Sequence, residues 1–210
     1  MGISNAERHV QRLREKLGHG ATPDSRQRVP PGQHVVERLP VLHYGGVPRV
    51  DLATWDFRVF GLVEEERRWT YPEFTQLPAK RVMVDVHCVT RWSVLDTIWE
   101  GVPFQELVQH IRPLPEARFV LVHAEAGFTT NLPLEDLMRE NVLLAWRYND
   151  EPLTPEHGYP LRLVVPHLYF WKSAKWVRGL EFLAQDRPGF WESYGYHIRG
   201  DPWKEERFAR

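Results

Sequence analysis

The stretch that decides the fold is Arg81-Val82-Met83-Val84-Asp85-Val86-His87-Cys88-Val89-Thr90-Arg91-Trp92-Ser93. Its first half alternates with the period of a β-strand, and Cys88 lies just past the strand end in a polar loop. Such loops display functional groups on a rigid scaffold. From these residues alone, Cys88 has three open roles: a small buried hydrophobic residue, a nucleophile or a metal ligand.

The composition indicates an ordinary globular protein of mixed secondary structure. The 210 residues are 42% hydrophobic and 26% charged, and 27 Lys and Arg nearly balance 28 Asp and Glu. This balance argues against a nucleic-acid partner. The 17 prolines disfavour a helical fold and favour short strands and turns. We therefore predict an α+β fold of mixed β-sheets with short helices.

The cysteine count and the first residues suggest a cellular location. A single cysteine excludes an intrachain disulfide and fits a reducing compartment. Residues 1–18 are charged throughout and resemble no export signal, and no apolar run is long enough to span a membrane. We therefore expect a cytoplasmic protein without a membrane span.

The chain divides into two predicted parts. In residues 1–34, Ser4 and Glu7 have capping-box spacing before an amphipathic helix, and a Pro-rich linker follows. Residues 35–210 form the predicted main domain and tail. Strands are expected at 57–60, 81–86, 119–122, 142–145 and 161–165, and short helices at 72–77 and 103–111.

Four segments of the main domain carry a family resemblance. They are His43-Tyr44-Gly45-Gly46-Val47-Pro48 with Trp55; Cys88-Val89-Thr90-Arg91-Trp92-Ser93 with Trp99 to Phe104; Pro155 to Pro166; and Lys172-Ser173-Ala174-Lys175-Trp176. In this order they resemble the molybdopterin domain of the sulfite oxidase family, near its bacterial sulfoxide-reductase branch. The resemblance covers about residues 35–183.

The resemblance implies a fold, two cofactors and a set of site residues. It implies the sulfite oxidase molybdopterin-domain fold and oxygen-atom transfer at molybdenum, with Cys88 as the metal ligand. A molybdopterin carries a phosphate, for which Arg162 offers a planar fork and Lys175 a compact charge. The other implied cofactor contacts are His43, Tyr44, His123, His157 and the backbone of Ser173 and Ala174.

The sequence also departs from the sulfite oxidases. Only Arg91 follows the cysteine closely, and Trp146 replaces the tyrosine of that family's Leu-Leu-Ala-Tyr strand. Tyr148 lies two residues further on the same strand face and is the predicted substitute. These departures disfavour sulfite as the small-molecule substrate. With no second redox group evident, we expect a separate electron-transfer partner: a haem protein, a flavoprotein or a quinone-linked protein.

Two other functions remain open at this point. Cys88 could serve a hydrolase or transferase with His87 or His123 as its base. Adjacent residues on a strand point to opposite faces, which disfavours His87. A non-catalytic module that binds a pterin or an anion is the second alternative, because a family fold does not guarantee activity.

Overall fold

The computed structural model describes residues 25–209. They form two β-sheets with short helices at their edges, and none of the helices within this range is long and apolar enough to cross a membrane. The α+β prediction is therefore confirmed. The predicted helix that begins near Ser4 lies outside the described residues, and the boundary at residue 34 stays a prediction.

One sheet has six strands and the other has five. The six-stranded sheet runs β1-β5-β8-β10, with β4 also paired to β5 and β9 to β8, and the five-stranded sheet runs β3-β2-β11-β6-β7. In chain order, β1 to β11 are His34–Val35, Asp56–Gly61, Arg67–Thr70, Lys80–His87, Trp92–Pro103, Phe119–Ala124, Thr129–Pro133, Leu143–Tyr148, Glu151–Pro152, Arg162–Val164 and Val177–Leu183.

The helices are short and lie between strands. The α-helices α1 to α4 are Tyr71–Phe74, Phe104–Ile111, Leu134–Leu137 and Phe190–Ser193. Single 3₁₀ turns cover Ser25–Arg28, Glu125–Gly127, Pro155–His157, Phe170–Lys172 and Pro202–Lys204. The two helices predicted at 72–77 and 103–111 match α1 and α2, with α1 shorter than expected.

The longest strand, β5, was not predicted. Its pairing with β4 shifts register between Val84 and Val86, and its pairing with β8 shifts between Glu100 and Gly101. Asp96 adopts a left-handed φ of 56° inside the strand. These irregularities break the alternation of side chains that identifies a strand in sequence, because each bulge moves the following residues to the other face.

The core lies on both faces of the six-stranded sheet. Leu144 and Leu163 belong to a large apolar cluster that also contains residues of the five-stranded sheet, including Phe57 and Phe182. The neighbouring residues of the same strands face a smaller cluster that includes Cys88. The cysteine therefore lies at the edge of this second core.

Two chain ends are fixed to the sheets by ion pairs. The Arg28 guanidinium binds Asp85 at 2.5 Å and also Asp96, so this part of the predicted linker contacts the β4–β5 hairpin. At the other end, the buried Lys172 ammonium lies 2.6 Å from Glu192 of α4. These contacts hold the C-terminal segment against the domain.

Asp136 provides a third anchor and a stability prediction. Burial alone raises the pKa of this carboxyl group, but hydrogen bonds from His167 (3.1 Å) and Arg199 (2.9 Å) hold the pKa well below its ordinary value. We expect Asp136→Asn to lower the free energy of unfolding by about 2 kcal/mol at pH 7, because hydrogen bonds to a charged group contribute about 1.5–3 kcal/mol. Urea unfolding measures this loss.

The pH dependence of that loss follows from the lowered pKa. The stabilisation by Asp136 is complete above the unfolded-state pKa of about 3.8 and declines as the pH falls towards the lower folded-state pKa. The difference in the free energy of unfolding between Asp136→Asn and the wild type therefore becomes smaller as the pH falls from 7 to 3. A difference that stays constant over this range would assign the stabilisation to another group.

Candidate active site

Cys88 lies at the tip of the hairpin between β4 and β5. Its N–H donates to the carbonyl oxygen of Trp92 at 2.9 Å, and its own carbonyl oxygen accepts from the N–H of Arg91 at 3.0 Å. Arg91 adopts a left-handed φ of 75° to close this turn. The predicted position of Cys88, directly after a strand, is confirmed.

The thiol is buried next to a hydroxyl group. Cys88 is 8% exposed, and its Sγ accepts a hydrogen bond from Thr90 Oγ1 at 3.2 Å. Burial raises the pKa of the thiol, while this hydrogen bond lowers it. A bound metal ion would lower the pKa of the thiol far more, because a thiol that coordinates a metal is deprotonated outright.

The hairpin loop is fixed from outside by both ends of the described chain. Gln33 Nε2 donates to the carbonyl oxygen of Cys88 at 2.9 Å, and Arg207 Nη1 donates to that of Val89 at 2.6 Å. Two buried or half-buried side chains thus set the orientation of the loop that carries the thiol.

Cys88 opens into a cavity of about 480 Å³, a volume within the usual range for small-molecule sites. Its lining comes from five separated parts of the chain: 39–48, 88–92, 125–128, 157–176 and 190–196. Eight of the residues proposed for the site line it: His43, Tyr44, Cys88, His157, Arg162, Ser173, Ala174 and Lys175.

Arg162 provides a buried positive charge in this cavity. It is 1% exposed, and its Nη1 and Nη2 donate to the carbonyl oxygens of His157 (2.8 Å) and Ser173 (3.0 Å). Its guanidinium carbon lies 4.4 Å from the ring centroid of Phe170. Burial lowers the pKa of Arg162 to about 9, and within residues 25–209 no carboxylate pairs with it and its Nε has no partner. A buried charge in this state is stabilised by an anionic ligand.

Lys175 places a second basic group beside Arg162. Its Nζ donates to the carbonyl oxygens of Leu42 (2.7 Å) and Glu156 (2.6 Å), and burial lowers its pKa to about 7. Gly158, with a φ of 112°, allows the backbone to pass close to both Arg162 and Lys175. A Cβ at Gly158 would lie 3.1 Å from the Cβ atoms of both Arg162 and Lys175.

The remaining proposed contacts differ in what they offer a ligand. His157 uses both ring nitrogens within the protein, at 3.0 Å from Thr154 Oγ1 and 3.3 Å from the carbonyl oxygen of Leu39. The N–H of Ser173 donates to Phe170 at 3.1 Å, so this amide is not free for a phosphate as the sequence suggested. Tyr44 is 64% exposed and packs against Phe190 at 4.8 Å.

Three proposed site residues do not line the cavity. The Arg91 side chain is exposed and does not line the cavity. Tyr148 packs its ring against Trp99 (4.7 Å) instead of reaching Cys88. His123 lies on β6 of the other sheet, where its Nε2 is 2.9 Å from Glu181.

The geometry also bears on the cysteine-hydrolase alternative. His87 Nδ1 is 2.9 Å from Ser93 Oγ, and burial lowers the pKa of His87 to about 4. This histidine is therefore neutral and engaged with Ser93 instead of Cys88. With His123 on the other sheet, neither proposed base is placed to activate the thiol.

The profile of the family described as "Oxidoreductase molybdopterin binding domain" matches residues 44–191. The chain belongs to this family. An uncharacterized oxidoreductase of Bacillus subtilis, YuiH, is 50% identical over 194 residues, which cover 92% of this chain and 98% of that relative. The family predicted from the sequence is thereby confirmed, as are its enzymatic class and its cofactors, molybdenum and molybdopterin.

More distant relatives are longer proteins. A putative protein-methionine-sulfoxide reductase subunit of Azospira oryzae, YedZ1, is 28% identical, over 75% of this chain and 61% of its own length. The protein-methionine-sulfoxide reductase catalytic subunit MsrP of Campylobacter jejuni is 27% identical, over 67% of this chain and 52% of its own length. This chain thus spans about half to three-fifths of these two relatives.

The fold of a solved structure agrees with this membership. The sulfane dehydrogenase SoxCD of Paracoccus pantotrophus superposes with a TM-score of 0.62 at 20% identity, covering 88% of this chain and 56% of that chain. At this identity the likeness shows the fold alone. It confirms the predicted molybdopterin-domain fold.

The cavity fits the family's cofactor. Arg162, with its unpartnered Nε, and Lys175 place two basic groups against the close backbone approach at Gly158, which suits a phosphate. Cys88 offers a soft thiolate donor of the kind that molybdenum binds. Arg162, Lys175 and Cys88 would therefore hold the phosphate end and the metal end of the cofactor.

Several lining residues were not proposed from the sequence. Phe128, Trp191 and Tyr196 line the cavity although they lie 40 to 108 positions from Cys88 in the chain. No local pattern marks them as site residues. The one feature that could have suggested them is that they are aromatic, because aromatic side chains often line ligand pockets.

Proposed function

We propose that this molybdenum oxidoreductase reduces neutral organic sulfoxides to sulfides. The observation that carries the proposal is the chemistry of the cavity wall. Beyond Arg162 and Lys175, the wall is mostly apolar and rich in aromatic rings, among them Tyr44, Phe128, Phe190, Trp171 and Trp191.

This wall favours an uncharged ligand over an inorganic oxyanion. The two basic groups donate to backbone carbonyls and lie where the cofactor phosphate is expected. The carboxylate on the wall, Glu125, is paired with Arg178 at 2.7 Å. Among the described residues that line the cavity, no further cation is free to receive sulfite or nitrate, so transferring either anion from water into the cavity is costly. An alkyl or aryl sulfoxide instead buries apolar surface against the rings.

The reduction takes two electrons and two protons per sulfoxide and releases the sulfide and water. When bound, the molybdenum cofactor supplies the two-electron redox chemistry and the site of oxygen-atom transfer. Cys88, Arg162 and Lys175 would hold the cofactor. The aromatic wall orients the substrate and excludes water from the reacting sulfur.

The electrons come, in this proposal, from a separate haem protein, flavoprotein or quinone-linked protein. The support is the single cysteine of the chain and the names of two relatives, each of which is described as a subunit. The cytoplasmic location expected from the sequence stays a prediction. Fractionation of the native cells tests it.

A substrate panel tests the proposed reaction. Protein made in the presence of molybdate is analysed for molybdenum and pterin and then assayed with a reduced viologen dye. We expect methyl phenyl sulfoxide to be turned over with a kcat/KM at least about tenfold above that of nitrate, because about 1.4 kcal/mol of differential binding gives this ratio.

Two results would contradict the proposal. The first is faster reduction of nitrate than of any sulfoxide. The second is efficient oxidation of sulfite, measured with ferricyanide as acceptor. Either one would show that the cavity receives an anion despite its aromatic wall.

A further inference from the structure

The C-terminal segment brings a phenol to the cavity that contains Cys88. Tyr196 lines this cavity together with the cysteine. It lies beyond residue 191, where the match to the family profile ends. None of the relatives' names and no motif in the sequence assigns it a role.

The position of the Tyr196 ring is fixed by its neighbours. Its centroid lies 5.0 Å from that of Trp191, 5.1 Å from that of Trp171 and 5.4 Å from that of Phe208. The N–H of Tyr196 donates to the carbonyl oxygen of Trp191 at 3.0 Å. Because Glu192 is anchored to Lys172, the whole turn is held against the domain. The phenol is thus preorganised.

The hydroxyl group of Tyr196 is available to a ligand. Within residues 25–209 this hydroxyl group makes no hydrogen bond, and Tyr196 lines the cavity where a ligand would bind. Burial raises the pKa of Tyr196. The group therefore keeps its proton at neutral pH and acts as a donor. Tyr148, the phenol expected from the sequence, does not line the cavity.

We propose that Tyr196 is a catalytic residue whose hydroxyl donates a hydrogen bond to the substrate oxygen. This inference rests on the proposed sulfoxide reduction. The S–O oxygen already carries partial negative charge in the sulfoxide and gains more as the S–O bond breaks. A fixed donor aimed at that oxygen stabilises the transition state more than the ground state. The phenol keeps its proton, and the two protons of the reaction come from solvent.

The first experiment compares Tyr196→Phe with Tyr194→Phe. The first variant removes the hydroxyl group and keeps the stacked ring. The second removes a hydroxyl group from a residue that is 71% exposed and does not line the cavity. With methyl phenyl sulfoxide we expect kcat/KM to fall about 100-fold in Tyr196→Phe, as on loss of an oxyanion donor, and to stay unchanged in Tyr194→Phe. Molybdenum, pterin and thermal unfolding should match the wild type in both.

The second experiment measures binding without turnover. Methyl phenyl sulfone, which keeps an S–O acceptor, is titrated against the purified proteins and followed by tryptophan fluorescence. We expect its dissociation constant to rise about fivefold in Tyr196→Phe, the typical effect of one hydrogen bond, and not in Tyr194→Phe.

The outcomes separate this inference from the proposed function. A wild-type protein that contains molybdenum but reduces no sulfoxide would overturn both. Normal sulfoxide turnover in Tyr196→Phe would overturn only the role of Tyr196. An unchanged sulfone dissociation constant would do the same even if turnover fell, because the hydroxyl would then not contact the S–O oxygen.

Discussion

Cys88→Ser protein is expected to retain less than about a tenth of the wild-type molybdenum and to turn over at least about 100-fold more slowly. Loss of a group that merely orients a ligand costs about 10–100-fold, so loss of the ligand itself should exceed that range. A serine hydroxyl is a harder donor and ionises far less readily than a thiol. Metal analysis and a viologen-coupled assay measure the two effects.

The folded state should tolerate this change. Serine is close in size to cysteine, and the main-chain hydrogen bonds of the hairpin tip do not depend on the Cys88 side chain. Thermal unfolding and pterin content should therefore stay near wild type, since the phosphate contacts of Arg162 and Lys175 are kept. Wild-type molybdenum content and turnover in this variant would exclude Cys88 as the ligand.

Arg162→Met is expected to empty the site of pterin while leaving the cofactor-free protein folded. The substitution leaves the carbonyl oxygens of His157 and Ser173 without a donor, at a cost of about 1–3 kcal/mol each. It also removes a buried charge whose pKa is lowered to about 9 by desolvation, and this relief offsets much of the cost. We therefore expect a change of no more than about 2 kcal/mol in the cofactor-free protein.

The main expected effect of Arg162→Met is a loss of bound pterin. Without the buried guanidinium, the phosphate would lose a charged hydrogen-bond donor, and we expect pterin content to fall below about a tenth of the wild type. Arg162→Lys keeps the charge but loses the planar fork, so its pterin content should be intermediate. Arg147→Met, on the neighbouring strand and outside the cavity, is the matched control. Normal pterin in Arg162→Met would remove this residue from the site.

Several strands were predictable from local patterns, either alternating side chains or a short run of apolar residues. Residues 57–60, 81–86 and 119–122 all fall within observed strands. Strand β5 was missed because bulges and the left-handed Asp96 interrupt its pattern. Strand β11 was missed as well, although it joins β2 and β6 in the centre of its sheet. Its pairing depends on partners more than 50 residues away.

The sequence by itself determined that Cys88 follows a strand and that ordered segments of the chain match a molybdopterin family. Both conclusions depend only on residues that are close in the chain and on the order of motifs along it, and both can be read directly from the sequence. Arg162 was also identifiable, because an arginine in an apolar strand requires a partner when it is buried.

Only the tertiary structure decided which side chains share the cavity with Cys88. It placed His123 on the other sheet, Tyr148 against Trp99 and Tyr196 on the wall of the cavity that Cys88 lines. The physical reason is that the cavity is assembled from loops and a C-terminal segment whose proximity is set by sheet pairing and by ion pairs such as Lys172–Glu192. Contacts of this kind join residues distant in the chain, and no periodicity in the sequence encodes them.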